Sequence, residues 1–137
     1  MHFSKTTQYA VRVLTYLHHH APKPHSAAFL HTALELPYKY LTKLLTKLEK
    51  KGLLSAIKGR NGGFVLARDA QSITLGDILE ALDESLESQQ CVLGFEMCDA
   101  KNPCALHERW LKPKKAIDEM IEQTTLAALM QNPEGKI

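Results

Sequence analysis

The chain has 137 residues, enough for one domain with a proper core and one appended element. Its 45% apolar and 23% charged residues are those of an ordinary globular protein, and no apolar run approaches the roughly 20 residues needed to span a bilayer. The net charge of +2 hides an asymmetry: residues 1–68 carry eleven Lys/Arg against two acids, a net of +9, while residues 69–137 carry six against thirteen, a net of −7. A basic N-terminal half joined to an acidic C-terminal half suggests a polyanion-binding module carrying something else, although a solvated surface without a partner would also fit.

The opening MHFSKTTQYAVRVLTYLHHH lacks the basic-then-apolar layout and the small-residue cleavage site of a signal peptide. The chain is therefore expected in the cytoplasm, where thiols stay reduced, and an odd count of three cysteines further weakens a disulfide framework. Ser4 caps a predicted helix whose Ala10, Val13, Leu14 and Leu17 share one face and which the prolines of APKP stop. The three histidines at its end point in different directions, so they suit a solvated helix C-terminus better than one metal site.

Ser26 starts a second short helix, SAAFLHTALE, that stops at Leu36-Pro37. Pro37 suits the first turn of a third, YKYLTKLLTKLEKKG, which Gly52 ends. Its Leu41, Leu44, Leu45 and Leu48 form an apolar stripe, and Lys39, Lys43, Thr46, Lys47 and Lys50 line the opposite side. Two short helices joined by a tight turn, the second with a basic face, match a helix-turn-helix, though any amphipathic surface helix shares the stripe. LLSAIKGRNGGFVLAR then reads as strand, turn, strand, a basic hairpin placed where a winged helix carries its wing. Its glycines permit the tight turn, and Arg60 at the tip suits the negative potential of a minor groove. Together with the charge excess, this points to DNA rather than to an ordinary surface hairpin.

After Asp69, SITLGDILEALDE is expected to form a capped amphipathic helix with Leu75, Ile78, Leu79 and Leu82 on one face, and ESLESQQ a polar connector. Beyond Trp110 and Pro113, KKAIDEMIEQTTLAALM is predicted as one long helix with Ile117, Met120, Ile121, Thr124 and Ala128 at helical spacing. It has little core left to cover, so pairing with the first helix or a second subunit is its natural use. NPEGKI is expected to fray.

All three cysteines lie between, as Cys91-x6-Cys98-x5-Cys104-x2-His107. Gly94, Asp99, Asn102 and Pro103 make this interval a loop, and Cys104 and His107 are expected on one face at the start of a helix. Three soft thiolates and an imidazole fit zinc or an iron–sulfur cluster, and the wide gaps suit a cluster better than paired zinc ligands. Oxygen ligands are scarce, against calcium or magnesium. A catalytic thiol, three buried reduced cysteines and a disulfide switch are the alternatives; no set of acids, bases and oxyanion donors is readable for an enzyme.

The opening FSKTTQYAVRVLTYL, LPYKYLTKLLTKLEKKGLL, the wing KGRNGGFVLA, ITLGDILEAL and the three-cysteine loop before the last helix together resemble the IscR/NsrR-type winged-helix regulators of the Rrf2 family, over nearly the whole length. The resemblance implies a mainly α fold with a small β-hairpin wing. It divides the chain into a winged helix-turn-helix domain (1–83), a cluster-binding loop (84–107) and a dimerisation helix and tail (108–137). It implies a homodimer on a palindromic double-stranded DNA operator, away from any membrane, with the third helix in the major groove and the wing in the minor groove. Lys39, Thr42 and Lys43 would face bases or phosphates, Lys47 and Lys50 phosphates, and Lys58, Arg60 and Asn61 would anchor the wing. Cys91, Cys98 and Cys104 would hold iron–sulfur, 2Fe–2S or 4Fe–4S, with His107 as the fourth ligand. The family's nitric-oxide-sensing branch has an acid on the first helix where this chain has Gln8, and the biogenesis regulators have five residues in the first cysteine interval rather than six. The implied function is a regulator, in the repressor mode, whose cluster senses nitric oxide, redox state or iron–sulfur supply. A cluster-free thiol switch and a zinc-stabilised protein-interaction module are the alternative functions.

Overall fold

The computed structural model describes residues 2–84 and 91–131. Its first helix, α1 (Lys5–His19), begins where the Thr7 N–H donates to the Ser4 side chain. Ser26 caps α2 (Ala27–Leu34) in the same way, through the Phe29 N–H. Pro37 precedes α3 (Tyr38–Lys50), which stops at Lys51 because Gly52 follows with φ +80, a conformation that costs glycine nothing. The predicted stripe is the buried face of α3: Leu41, Leu44, Leu45 and Leu48 pack into one core with Ala10, Val13, Leu14 and Leu17 of α1 and Leu30 of α2.

Strands β1 (Leu54–Ile57) and β2 (Gly63–Leu66) pair antiparallel, with Leu54 opposite Leu66 and Ile57 opposite Gly63. The other edge of β2 bonds to the segment before α2: the His25 N–H donates to the Phe64 carbonyl at 3.2 Å, and the Phe64 N–H to the His25 carbonyl at 2.8 Å. This approach explains Gly63, whose φ is +150 and whose Cβ would lie 2.4 Å from the His25 carbonyl carbon. The wing is thus bonded at its root to the helix-turn-helix.

Three expectations need correction. The helix expected from Ser72 onward starts later, as α4 (Leu75–Ala81), because Asp69 caps a separate 3-10 turn over Ala70–Ser72. A capping box between Thr74 and Asp77 then fixes the true start. The C-terminal helix is not one rod beyond Pro113. It begins at His107, carries Pro113 within it, ends as α5 (His107–Gln123), and a short α6 (Leu126–Leu129) follows. The break has a backbone cause: the Leu75 N–H donates to the Thr124 carbonyl at 2.9 Å and the Leu126 N–H to the Ile73 carbonyl at 2.7 Å. Thr125, extended between them, caps α6 by accepting from the Ala128 N–H.

Nor is this end of the chain short of core. Ile121 and Leu126 are buried in the same cluster as α1 and α4, while Leu111 and Met120 stay exposed. Most of the expected polar connector, 85–90, and the expected frayed tail, 132–137, lie outside the described residues. Among the described residues no helix is long and apolar enough to cross a membrane.

Candidate nucleic-acid interface and cysteine centre

The basic face of α3 lies on the surface. Lys39, Lys43 and Lys50 are exposed, and Thr42, half-buried, donates its hydroxyl to the Lys39 carbonyl at 2.9 Å. At the wing tip Lys58, Arg60 and Asn61 are all exposed. The turn behind them is closed so tightly that a Cβ on Gly62 would fall 2.0 Å from the Ile57 carbonyl oxygen. Tyr38 and Tyr40 flank Lys39 and are exposed too, a feature that the charge pattern of α3 does not show. Tyr38 meets His31 edge-on, and Tyr40 meets Tyr9 edge-on while bonding to the Thr6 hydroxyl. The YKY pattern at the start of a basic helix was the available signal.

Lys47 differs from its neighbours. Its ammonium donates to the Leu82 carbonyl at 3.0 Å and lies 3.2 Å from Asp83 Oδ2; Lys51 approaches Asp83 Oδ1 at 3.6 Å. The hydrogen bond from Lys47, then the charges of Lys51 and Lys47, hold the Asp83 carboxyl below the usual carboxylate range. The next residue, Glu84, accepts from the Ser4 and Thr7 hydroxyls at the start of α1.

Cys91, Cys98, Cys104 and His107 come together around one cavity of about 440 Å³, which Phe95, Glu96 and Asp99 also line. Cys91 and His107 are buried, Cys98 and Cys104 half-buried, and all three thiols are free. The loop folds on its own backbone: the Gly94 N–H donates to the Cys91 carbonyl, the Lys101 N–H to Asp99 Oδ1, and the His107 N–H to the Cys104 carbonyl. Cys104 therefore precedes α5 rather than sharing a helix face with His107, and it is Cys98 whose Sγ lies 3.6 Å from His107 Nδ1.

Burial pushes the Cys91 thiol up, but hydrogen bonds from the Leu93 N–H, the Cys104 thiol and the Phe95 N–H outweigh it and bring it below the ordinary thiol value. Among the described residues no three His, Cys, Asp or Glu side chains stand close enough to hold a single ion as they are placed; the donors surround a space instead. Soft donors around such a space fit a multi-atom group in chemistry and number.

A helix pair whose second member is basic, followed by a hairpin bonded back to its root, defines a winged helix-turn-helix DNA-binding protein. The chain belongs to the Rrf2 family of iron-dependent transcriptional regulators, whose sequence profile matches residues 3–132. It is 31% identical over 136 residues, 98% of this chain and 94% of the other, to an HTH-type transcriptional regulator of Aquifex aeolicus. It is 35% identical over 95 residues to the HTH-type transcriptional regulator IscR of Yersinia pseudotuberculosis, covering 69% of this chain but 57% of that protein. Among solved structures, CymR, the global cysteine regulator of B. subtilis, superposes with a TM-score of 0.78 at 28% identity, over 94% of this chain and 95% of that one. T. potens IscR superposes with a TM-score of 0.75 at 29% identity, over 98% and 89%. These relatives are transcriptional regulators, not enzymes.

Proposed function

We propose that this regulator binds a palindromic operator as a homodimer and that its DNA affinity is set by an iron–sulfur cluster held in the cysteine loop. The observation that carries the cluster assignment is the convergence of Cys91, Cys98, Cys104 and His107 on one cavity. Those four residues would hold the group, 2Fe–2S or 4Fe–4S. When bound it supplies a redox centre that reacts with oxygen or nitric oxide and reports iron–sulfur supply. The chain's own part is to present sulfur as thiolate, as the hydrogen bonds to Cys91 favour, and to orient the His107 ring beside Cys98. Lys39, Thr42, Lys43 and Lys50 on α3, with Lys58, Arg60 and Asn61 on the wing, would contact the operator.

Anaerobic purification with an absorption spectrum and iron and sulfide counts tests the assignment. A coloured protein with matched iron and sulfide, lost in Cys98→Ala, is expected; a colourless protein would overturn it. Equal operator affinity with and without the cluster, at one salt concentration, would sink the sensing role.

One observation favours a cluster-free thiol switch as the second reading: Cys104 lines the same cavity as Cys91, whose thiol is held below its ordinary value. Oxidation by a peroxide would join the two sulfurs, the peroxide taking both electrons and both protons as it is reduced to water or alcohol. That reading requires DNA binding to respond to peroxide in iron-free protein.

A further inference from the structure

We propose that Asp83 is a built-in competitor for DNA phosphate, holding Lys47 of α3 and Lys51 at its C-terminal cap away from nucleic acid until a phosphate replaces it. The inference rests on the reading of α3 as the DNA-contacting helix. Lys47 and Lys51 are four residues apart, one turn of helix, so their ammonium groups lie side by side and repel unless an anion sits between them. Asp83 is that anion, offering Oδ2 to Lys47 at 3.2 Å and Oδ1 to Lys51 at 3.6 Å. A DNA phosphate offers the same pattern, one oxygen to each cation.

The Leu82 carbonyl at 3.0 Å gives Lys47 a further, directional hold that keeps the side chain folded toward α4. The pair is nonetheless open to exchange. Side-chain exposures of 67% for Asp83, 41% for Lys47 and 48% for Lys51 leave it well screened by water and salt, where ion pairs are weak. The lysines can therefore leave for a phosphate without a large loss, yet in its absence they are not free. Asp83 is also placed for the task by its backbone: it has φ 53, uncommon outside glycine, in the turn just after α4. Glu84 next to it is bonded to Ser4 and Thr7, which fixes the turn from its other side.

The test is a fluorescence anisotropy titration of the full chain on a mixed-sequence DNA duplex across a range of salt, since phosphate contacts are read as salt dependence whatever the sequence. Asp83→Asn keeps a residue that tolerates positive φ, and Asp83→Gly serves as a second variant that relieves the backbone altogether. Both are expected to tighten binding several-fold with little change in the slope of log affinity against log salt, because the same two phosphates are engaged once Asp83 has been displaced. Glu49→Gln removes an acid on the same helix that makes no ion pair among the described residues, and controls for net charge by tightening binding less than either Asp83 variant. In a Lys47→Ala/Lys51→Ala background the Asp83 substitutions should do nothing.

An unchanged affinity in both Asp83 variants, or a gain that persists without the lysines, overturns the proposal. If Arg60→Ala still weakens binding in that case, the DNA-contacting reading stands and the competitor alone is wrong. If neither Arg60→Ala nor Lys39→Ala/Lys43→Ala weakens binding, the reading beneath fails and takes the proposal with it.

Discussion

The winged body and the cysteine loop of this molecule are held by different forces. In the body, apolar faces of α1, α3 and α4 close on one another with Ile121 and Leu126 from the C-terminal end, and water exclusion orders the whole. In the loop between Cys91 and Leu106, Cys91 alone is buried among the described residues, while Val92, Leu93, Phe95 and Met97 face outward, Met97 at 68% exposure. Its backbone hydrogen bonds are short-range turns closed within a few residues. A segment with so little buried surface gains little from folding by itself, and its three cysteines border an open space. The apolar core and the cysteine cavity thus occupy separable parts of the chain.

The sharpest way to break that contrast is to compare one truncation in each part. Leu45→Ala, at a fully buried position, is expected to cost about 2–5 kcal/mol in urea unfolding of metal-free protein. Met97→Ala should stay within about 0.5 kcal/mol under the same conditions. A loop truncation as costly as the core one would mean that the loop has a core of its own.

A smaller effect is expected where the body reaches toward DNA. Gly63→Ala forces a Cβ against the His25 carbonyl at a φ that alanine avoids, and should cost more than about 1 kcal/mol. DNA affinity should fall with it, because the wing loses its bonds to His25 while α3 is untouched. Unchanged unfolding and unchanged binding would show that the wing is not anchored there.

What could be read ahead of the structure follows the same division. The stripe of Leu41, Leu44, Leu45 and Leu48, the caps at Ser4 and Ser26 and the glycine-bearing hairpin were legible because helical period, capping and turn chemistry act within a few residues. The break at Thr124 was not, because it depends on backbone pairing with Ile73 and Leu75, remote in sequence. The partner of Lys47 was hidden for the same reason: a stripe of lysines says nothing about an aspartate some 35 residues on, in another turn. In the loop the spacing picked out four residues that border one cavity but misjudged their neighbours, putting Cys104 on a helix with His107 when the loop instead brings Cys98 to the ring. The YKY start of α3 was legible and was missed through attention to charge alone.

The gentlest test sets the pH response of the body against the metal response of the loop. His25 is 5% exposed, its Nδ1 has no hydrogen-bond partner, and its ring meets Tyr16, His20 and Phe29. Burial first, then the charges of His20 and Lys23, lower its pKa below 6.5, against a weaker opposing hydrogen bond to the Lys23 carbonyl. The unfolded chain therefore binds the proton more tightly than the folded one. The neutral ring's stabilising contribution is complete above 6.5, is lost as pH falls from there toward the lower folded value, and then levels off. The urea midpoint of wild type should decline between about pH 8 and pH 5 more than that of His25→Phe, which keeps an aromatic ring without the titration. Because the His25 backbone also anchors Phe64, the protection factor of the Phe64 amide, relative to its intrinsic exchange rate at each pH, should fall over the same interval, with iron present or absent. Parallel midpoint curves for the two proteins would remove His25 as the cause, and a decline that vanished with iron would move the pH response from the body to the cysteine loop.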